Sequence, residues 1–398
     1  MRHIILSVLI LLFGFADLHA ESASAVFKKI KLRQYYRQDI AAGYTNSGYF
    51  PNSVSAVAAL NGRYNKYRVL IMYNMRSKGG SFSAADMNRF SEKSLDHIFL
   101  LKSTIPIHNI LTVTAAGDYM YEFYQTVSSE KWGTGLFDFY RYGASLSAFK
   151  TVFKMRNELA VKFHQIKFPN YKNLLSEYMD TGGVDVEEKQ DRNITDLVYS
   201  VRSAFVVNAM VRAAYSLNSF PALFVLKNDG TKDPSKTQME DALSFKITAN
   251  KRLYFVRPFV SLAYKAKNSN QNYFYQKSSS DTNPLFFSDY YSYTTLNIQY
   301  GFNLDLFKWL SLRFSASTNE KNYKSRAPRD ASGEFITSEK MYIKSNTTHF
   351  AVDFKKGRSY TFSPEVVLRE QISNDKNEKL FKYNYKMTYF GVKYRLYY

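Results

Sequence analysis

Residues 309–318 read WLSLRFSAST, and apolar and polar side chains alternate from residue 310 to residue 317. Successive side chains of a β-strand point to opposite faces. In an extended chain, Leu312 and Phe314 therefore share one face, while Ser311 and Arg313 share the other. The segment predicts a β-strand with one face in an apolar environment and the other in water.

The same alternation recurs on both sides of this segment, and it predicts an all-β chain of sixteen strands. The candidate strands are 27–38, 53–61, 66–76, 94–103, 108–124, 136–154, 158–168, 193–203, 207–217, 240–249, 253–266, 290–302, 308–319, 342–355, 359–371 and 380–398. No linker rich in Pro, Gly or Ser divides them. We therefore expect one domain over residues 21–398.

The predicted connections alternate between short and long. Tight connections such as 61–66 and 155–158 are followed by longer ones, for example around Gly43, Lys131 and Gly230. Outer-membrane barrels show this pattern because their periplasmic turns are short and their outer loops are long. A soluble β-sandwich has no reason to sort its loops in this way. The sequence predicts a transmembrane up-and-down antiparallel β-barrel of about 16 strands, with both termini in the periplasm. Fourteen or eighteen strands also fit the pattern.

The first twenty residues are predicted to be a secretory signal peptide. Arg2 is followed by an apolar run over residues 4–15, and the segment ends in the small residue Ala20. This run is shorter than the about 20 residues that a membrane-spanning helix needs. The chain is therefore expected to be exported, and its predicted location is the outer membrane of a Gram-negative cell.

The last residues, 389–398, read YFGVKYRLYY, in which the even-numbered residues form an unbroken apolar and aromatic face and Gly391, Lys393 and Arg395 lie on the other face. Gly391, Tyr394 and Leu396, followed by Tyr398, resemble the assembly signal of bacterial outer-membrane β-barrel proteins. In that signal, a glycine precedes spaced hydrophobic residues and a final aromatic residue. The resemblance covers about ten residues and identifies a class of protein, not a narrower family. It implies insertion by the outer-membrane assembly machinery, which we count as an expected partner.

The chain is strongly basic, with 54 Lys and Arg against 34 Asp and Glu and a formal net charge of +20. If the apolar faces meet lipid, the bases on the opposite faces line the lumen. The predicted lumen-lining residues are Lys31, Arg33, Arg68, Lys150, Lys154, Lys162, Arg202, Arg212, Arg257, Arg313, Arg369, Lys393 and Arg395. A lumen of this kind favours anions. Two alternatives remain open: pairing with carboxylates such as Glu158 and Asp353, and contact with lipid phosphates at the rims.

A porin-like passive channel for small anionic solutes is the predicted function, because about 16 strands leave an aqueous bore. The short segment between residue 20 and the first predicted strand leaves little room for a plug domain. One alternative is a surface protein whose long outer loops bind a partner or lipopolysaccharide. Another is a lipid-modifying enzyme of the outer membrane.

No catalytic, cofactor or metal site is predicted. The chain has no cysteine, and its histidines lack metal-binding spacing. Asp96 beside His97 is the best acid–base pair, but neighbouring strand residues point to opposite faces. Outer-membrane lipid and lipopolysaccharide are expected to contact the protein. Nucleic acid is not an expected partner, because the chain carries an export signal and no binding motif. The sequence leaves the oligomeric state open.

Overall fold

The computed structural model describes residues 31–46, 51–79, 93–107, 111–125, 131–171, 190–276, 283–357, 359–377 and 383–397. The predicted signal peptide lies outside these residues, and so does Tyr398. No helix among the described residues is long and apolar enough to cross a membrane.

The described chain contains eighteen β-strands. They are β1 Lys31–Thr45, β2 Asn52–Tyr64, β3 Tyr67–Gly79, β4 Lys93–Ile107, β5 Leu111–Gln125, β6 Phe139–Val152, β7 Met155–Lys167, β8 Arg192–Ala204, β9 Asn208–Leu226, β10 Lys232–Asn250, β11 Val256–Ser269, β12 Tyr273–Tyr275, β13 Leu285–Phe287, β14 Tyr293–Phe307, β15 Leu310–Tyr323, β16 Tyr342–Lys356, β17 Tyr360–Ser373 and β18 Tyr385–Tyr397.

Sixteen of these strands form one closed antiparallel barrel, in which each strand pairs with its neighbours along the chain and β1 pairs with β18. The remaining two, β12 and β13, form a separate small hairpin between β11 and β14. The predicted fold class and the predicted number of barrel strands are both confirmed. Closure leaves no open strand edge, which a strand in lipid requires because no water is present to bond its backbone.

The rim that holds the tight turns is called the periplasmic rim here, because short turns face the periplasm in such barrels. Non-glycine residues with positive φ make several of these turns. Asn65 has φ 50° between β2 and β3, and Phe153 and Lys154 have φ 49° and 64° between β6 and β7. The opposite rim, called the outer rim, carries the longer connections, such as residues 270–292 and 324–341.

Among the strand boundaries that differ from the sequence prediction, those of β1, β9 and β10 change a predicted long loop. β1 continues through Gly43 to Thr45, so no loop forms around that glycine. β9 and β10 are 19 residues long and meet at a tight turn at Gly230, whose φ is 80°. The predicted long loop there is therefore an extended hairpin, because a left-handed glycine permits a short turn.

The last strand also begins later than predicted, at Tyr385, and its register with β17 has no bulge. Lys386 shares a face with Phe390, and its ammonium group lies 2.9 Å from the carboxylate of Glu370 near the outer rim. A lysine at the start of this apolar face is thus accommodated by a cross-strand partner at the edge of the membrane region.

Candidate functional site

The strand register gives the barrel two chemically distinct faces. The outward face carries large exposed apolar side chains; Leu146 is 58% exposed, Tyr300 55% and Phe390 56%. The inward face carries most of the charged and hydroxyl side chains, and many of these are buried or half-buried against one another. A closed barrel with an apolar exterior and a polar interior is a transmembrane β-barrel of the outer membrane.

Eleven of the thirteen predicted lumen residues lie on the inward face. They are Lys31, Arg33, Arg68, Lys162, Arg202, Arg212, Arg257, Arg313, Arg369, Lys393 and Arg395. Whether they contact a passing solute stays a prediction.

Lys150 and Lys154 do not belong to this set. Lys150 shares the outward face of β6 with Tyr142 and Leu146. Lys154 is not on a strand face: it lies in the turn after β6, where its ammonium group is 4.9 Å from the centre of the Phe205 ring and where it borders a recess at the periplasmic rim. The sequence prediction treated residues 136–154 as one strand, and it therefore placed both lysines on a common inward face.

Several inward bases pair with carboxylates. Arg313 donates to Asp353 at 2.8 Å, and the hydroxyl of Ser363 donates to the same carboxylate at 2.6 Å. Asp118 accepts from Arg141 at 2.7 Å and lies 3.6 Å from the imidazole of His164. The alternative in which lumen bases pair with lumen acids is therefore correct for part of the wall.

Bases nevertheless outnumber acids on the inward face of the described strands by more than two to one. The inward bases are Lys31, Arg33, Arg37, Arg63, Arg68, Arg76, Lys78, Lys102, Arg141, Arg156, Lys162, Arg192, Arg202, Arg212, Lys246, Arg257, Lys265, Lys267, Arg313, Lys321, Lys355, Arg369, Lys393 and Arg395. The inward acids are Asp39, Asp96, Asp118, Glu122, Glu158, Asp196, Glu240, Asp305, Asp353 and Glu365.

Some of these bases face each other directly. Lys31, Arg63 and Arg68 form a row of direct cross-strand neighbours on β1, β2 and β3. Arg212 on β9 is directly opposite Lys246 on β10. Like charges in such pairs repel each other, so the wall keeps a positive potential that internal pairing does not cancel.

The closing seam, defined as the pairing of β1 with β18, is packed on its inward side. Gly43 is opposite Gly391, and the ring of Tyr389 lies against both glycines. Arg395 on β18 donates to Asp39 on β1, which also accepts from Arg37. Gly391 from the predicted assembly signal thus makes room for a ring, whereas Tyr394 and Leu396 lie on the apolar face.

The best acid–base pair in the sequence is divided between the two faces. Asp96 points inward, opposite Glu122 on β5, and is 3% exposed. His97 points outward, where its Nδ1 lies 2.7 Å from the hydroxyl of Tyr73. In the part of the chain that the structure describes, no group of three or more His, Cys, Asp or Glu residues is placed to hold a metal ion.

Part of the outer rim is a compact assembly that the sequence did not predict. Its centre, called the aromatic cluster here, consists of Tyr273, Phe287, Tyr290 and Phe335, with Arg326 and Arg329 against the rings. Tyr273 stacks on Tyr290 at 4.5 Å, and Tyr290 is only 5% exposed. Burial raises the pKa of the Tyr290 phenol to about 12.

Backbone contacts fix this assembly to neighbouring loops. The side-chain amide of Asn272 donates to the carbonyl of Leu226 at the end of β9. The amide of Lys376 donates to the carbonyl of Arg329, which ties the loop after β17 to the loop after β15. The outer connections of four hairpins therefore form one connected structure. Three-residue strands and side-chain amide contacts leave no periodic signal in a sequence, so this part could not be predicted.

Comparison with known proteins finds no matching protein-family model and no matching curated protein. Solved structures with a similar fold are outer-membrane barrels. One is OmpT, an outer-membrane protein of Vibrio cholerae, which is 12% identical with a TM-score of 0.48 over 93% of this chain and 99% of that chain. Others are an anion-selective porin from Comamonas acidovorans and OccAB3 of Acinetobacter baumannii. Each of these two is 9% identical with a TM-score of 0.46, over 93% of this chain and 100% of the other. Identities this low do not transfer a function to this chain.

Proposed function

We propose that the protein is a porin-like passive channel that favours small anionic solutes. A barrel of about 16 strands is wide enough for an aqueous bore, whereas one of about 8 is filled by its own side chains. The inward face supplies the polar lining that such a bore needs.

The observation that carries the proposal is the unbalanced positive charge of the inward face. The row of Lys31, Arg63 and Arg68 and the pair of Arg212 and Lys246 place bases opposite bases. Arrangements like these cost stability in a wall that serves only as a scaffold. In a channel they lower the electrostatic barrier for negative solutes, so a functional requirement explains them.

The test is single-channel conductance of the refolded full chain in planar bilayers, with a salt gradient to measure ion selectivity. We expect stable conductance steps and a reversal potential of the sign that chloride permeation gives. The double variant Arg212→Gln, Lys246→Gln is expected to shift the reversal potential toward zero. Lys236→Gln is the matched control, because Lys236 is a 70% exposed lysine at the outer rim.

A folded protein without conductance would overturn the channel proposal, and cation selectivity would overturn the anion preference. Folding is checked in each case by the shift in gel mobility that heating produces in intact barrels. If the double variant and the control both keep the parent selectivity, the charge of the inward face does not determine the preference.

The aromatic cluster favours a second candidate function, in which the ordered outer rim binds a partner or lipopolysaccharide. Phe286 and Tyr291 remain 37% and 38% exposed at its edge, and aromatic side chains of this kind supply contact area in binding sites. Binding of lipopolysaccharide vesicles to the folded protein, compared with a Phe286→Ala, Tyr291→Ala variant, tests this role independently of conductance.

A further inference from the structure

The inward wall contains a recess at the periplasmic rim, bounded by the ends of β6, β7, β8, β9 and β10. Its volume is about 570 Å³, and Arg156, Arg202, Asn208 and Asn250 are among the residues that line it. A second recess of about 360 Å³, which contains Lys246 and Arg257, shares Thr248 and Asn250 with the first. No acidic side chain is found among the described residues that line the larger recess.

Arg156 is held in a fixed orientation at this recess. Its guanidinium carbon lies 3.6 Å from the centre of the Phe149 ring, and one terminal nitrogen is 3.1 Å from a carboxylate oxygen of Glu158. The Arg156 side chain is nevertheless 42% exposed, so its charge remains accessible from the recess that it lines.

The charges around Arg156 concentrate the positive potential at the same place. Arg202 is directly opposite Arg156 in the register of β7 and β8, and its side chain is exposed to the lumen. Arg212 and Lys246 form the next like-charged pair along the wall. Lys154 also lines the recess, and the Glu158 carboxylate balances only one of these positive charges, so the recess retains a net positive charge.

We propose that this recess binds a phosphate-type oxyanion, either inorganic phosphate or the phosphate group of a small ester. The planar fork of a guanidinium matches two oxygens of such a group, and two arginines on neighbouring strands can share it. The side chains of Thr151, Thr248 and Asn208 supply neutral donors around it. The inference rests on the proposed channel function, because it assigns that channel a solute class and a place where the solute pauses.

The experiment measures binding and conductance separately. Equilibrium dialysis of the folded full chain in detergent with radiolabelled inorganic phosphate gives the affinity. Conductance in a chloride electrolyte, with phosphate added to one side at a time, gives the block. We expect saturable phosphate binding and a stronger block when phosphate enters from the periplasmic rim.

The test variant is Arg202→Gln, and Arg369→Gln is the matched control, an inward arginine that does not line the recess. Arg202→Gln is expected to weaken phosphate binding at least tenfold, while the control stays within twofold of the parent. If Arg202→Gln does not fold, Arg202→Lys replaces it; this variant keeps the charge but loses the fork, and several-fold weaker binding is expected.

The outcomes separate the two proposals. A channel that conducts chloride but binds no phosphate, or binds it equally well in both variants, overturns the recess and leaves the channel proposal intact. Phosphate binding that depends on Arg202 in a protein without conductance supports the recess and overturns the channel. Block that is equal from both sides places the binding site away from the periplasmic rim and contradicts the inference.

Discussion

Replacing Gly43 by alanine tests the packing of the closing seam. A Cβ at this position lies 2.1 Å from a ring carbon of Tyr389 and 2.5 Å from the backbone oxygen of Phe390, well inside ordinary contact. The ring is able to rotate away, but the backbone oxygen moves only if the seam moves. Overpacking of this kind costs about 1–3 kcal/mol. Because backbone is involved, we expect the upper part of that range, about 2–3 kcal/mol.

The assay is urea unfolding of the protein folded in phospholipid vesicles, followed by tryptophan fluorescence and by heat-modifiable gel mobility. Gly117→Ala is the matched control, since its Cβ comes no closer than 3.8 Å to another atom, the carbonyl oxygen of Gly143. The control is expected to change the free energy of unfolding by less than about 0.5 kcal/mol. If Gly43→Ala is no less stable than Gly117→Ala, the close packing at the seam is refuted.

Three further substitutions test the closing seam, the aromatic cluster and the outward face of β6. Asp39→Asn is expected to destabilise the barrel more than Arg395→Gln, because it leaves both Arg37 and Arg395 without a carboxylate, whereas Arg395→Gln leaves Asp39 paired with Arg37; urea midpoints compare the two. The loops around Tyr290 are expected to lose stability as pH rises from about 10 through about 12. In that range the unfolded phenol ionises and the folded one does not, so Tyr290→Phe should remove part of the rise in limited proteolysis. Lys150→Gln should leave ion selectivity unchanged in the salt-gradient assay, unlike Lys246→Gln, because Lys150 faces outward.

The barrel itself could be predicted from the sequence because a membrane strand must alternate. Segments such as 309–318 have one face in lipid and one toward the lumen, and this requirement is visible in the order of the residues. The apolar face at the carboxyl terminus predicted the closing strand for the same reason. The predicted number of barrel strands was correct because each strand was predicted from its own alternating pattern, which does not depend on where the strand ends.

Two errors at the candidate site, at Lys154 and Arg156, come from one turn. Phe153 and Lys154 both adopt positive φ between β6 and β7, without the Gly, Asn or Pro that marks such turns in a sequence. The prediction extends the strand to residue 154, which places Lys154 on a strand face and Arg156 in a connection, whereas Lys154 lies in the turn and Arg156 faces inward. Lys150 lies inside β6 in both cases and shares the outward face of Tyr142 and Leu146, so its predicted face was wrong for a different reason, the choice of parity.

The aromatic cluster could not be predicted because its contacts join residues far apart in the chain. Tyr273, Tyr290 and Phe335 come from two different outer connections. Neither connection has a repeating pattern, and the cluster depends on the distance between β11 and β16 around the barrel. Only the closed structure specifies that distance.

The chain-entropy cost of pairing β1 with β18 is larger than that of the other strand pairings. Every pairing except that of β1 with β18 joins strands that follow each other around the chain, whereas the bond from the Thr388 amide to Asn46 spans 342 residues. Each doubling of a closed loop adds about 0.6 kcal/mol of ordering cost, so closing this contact costs about 2.5 kcal/mol more than closing a hairpin of about 20 residues. Residues inserted into an outer connection raise that cost very little. Insertions or deletions in the outer connections are therefore expected to have little effect on the closure of the barrel.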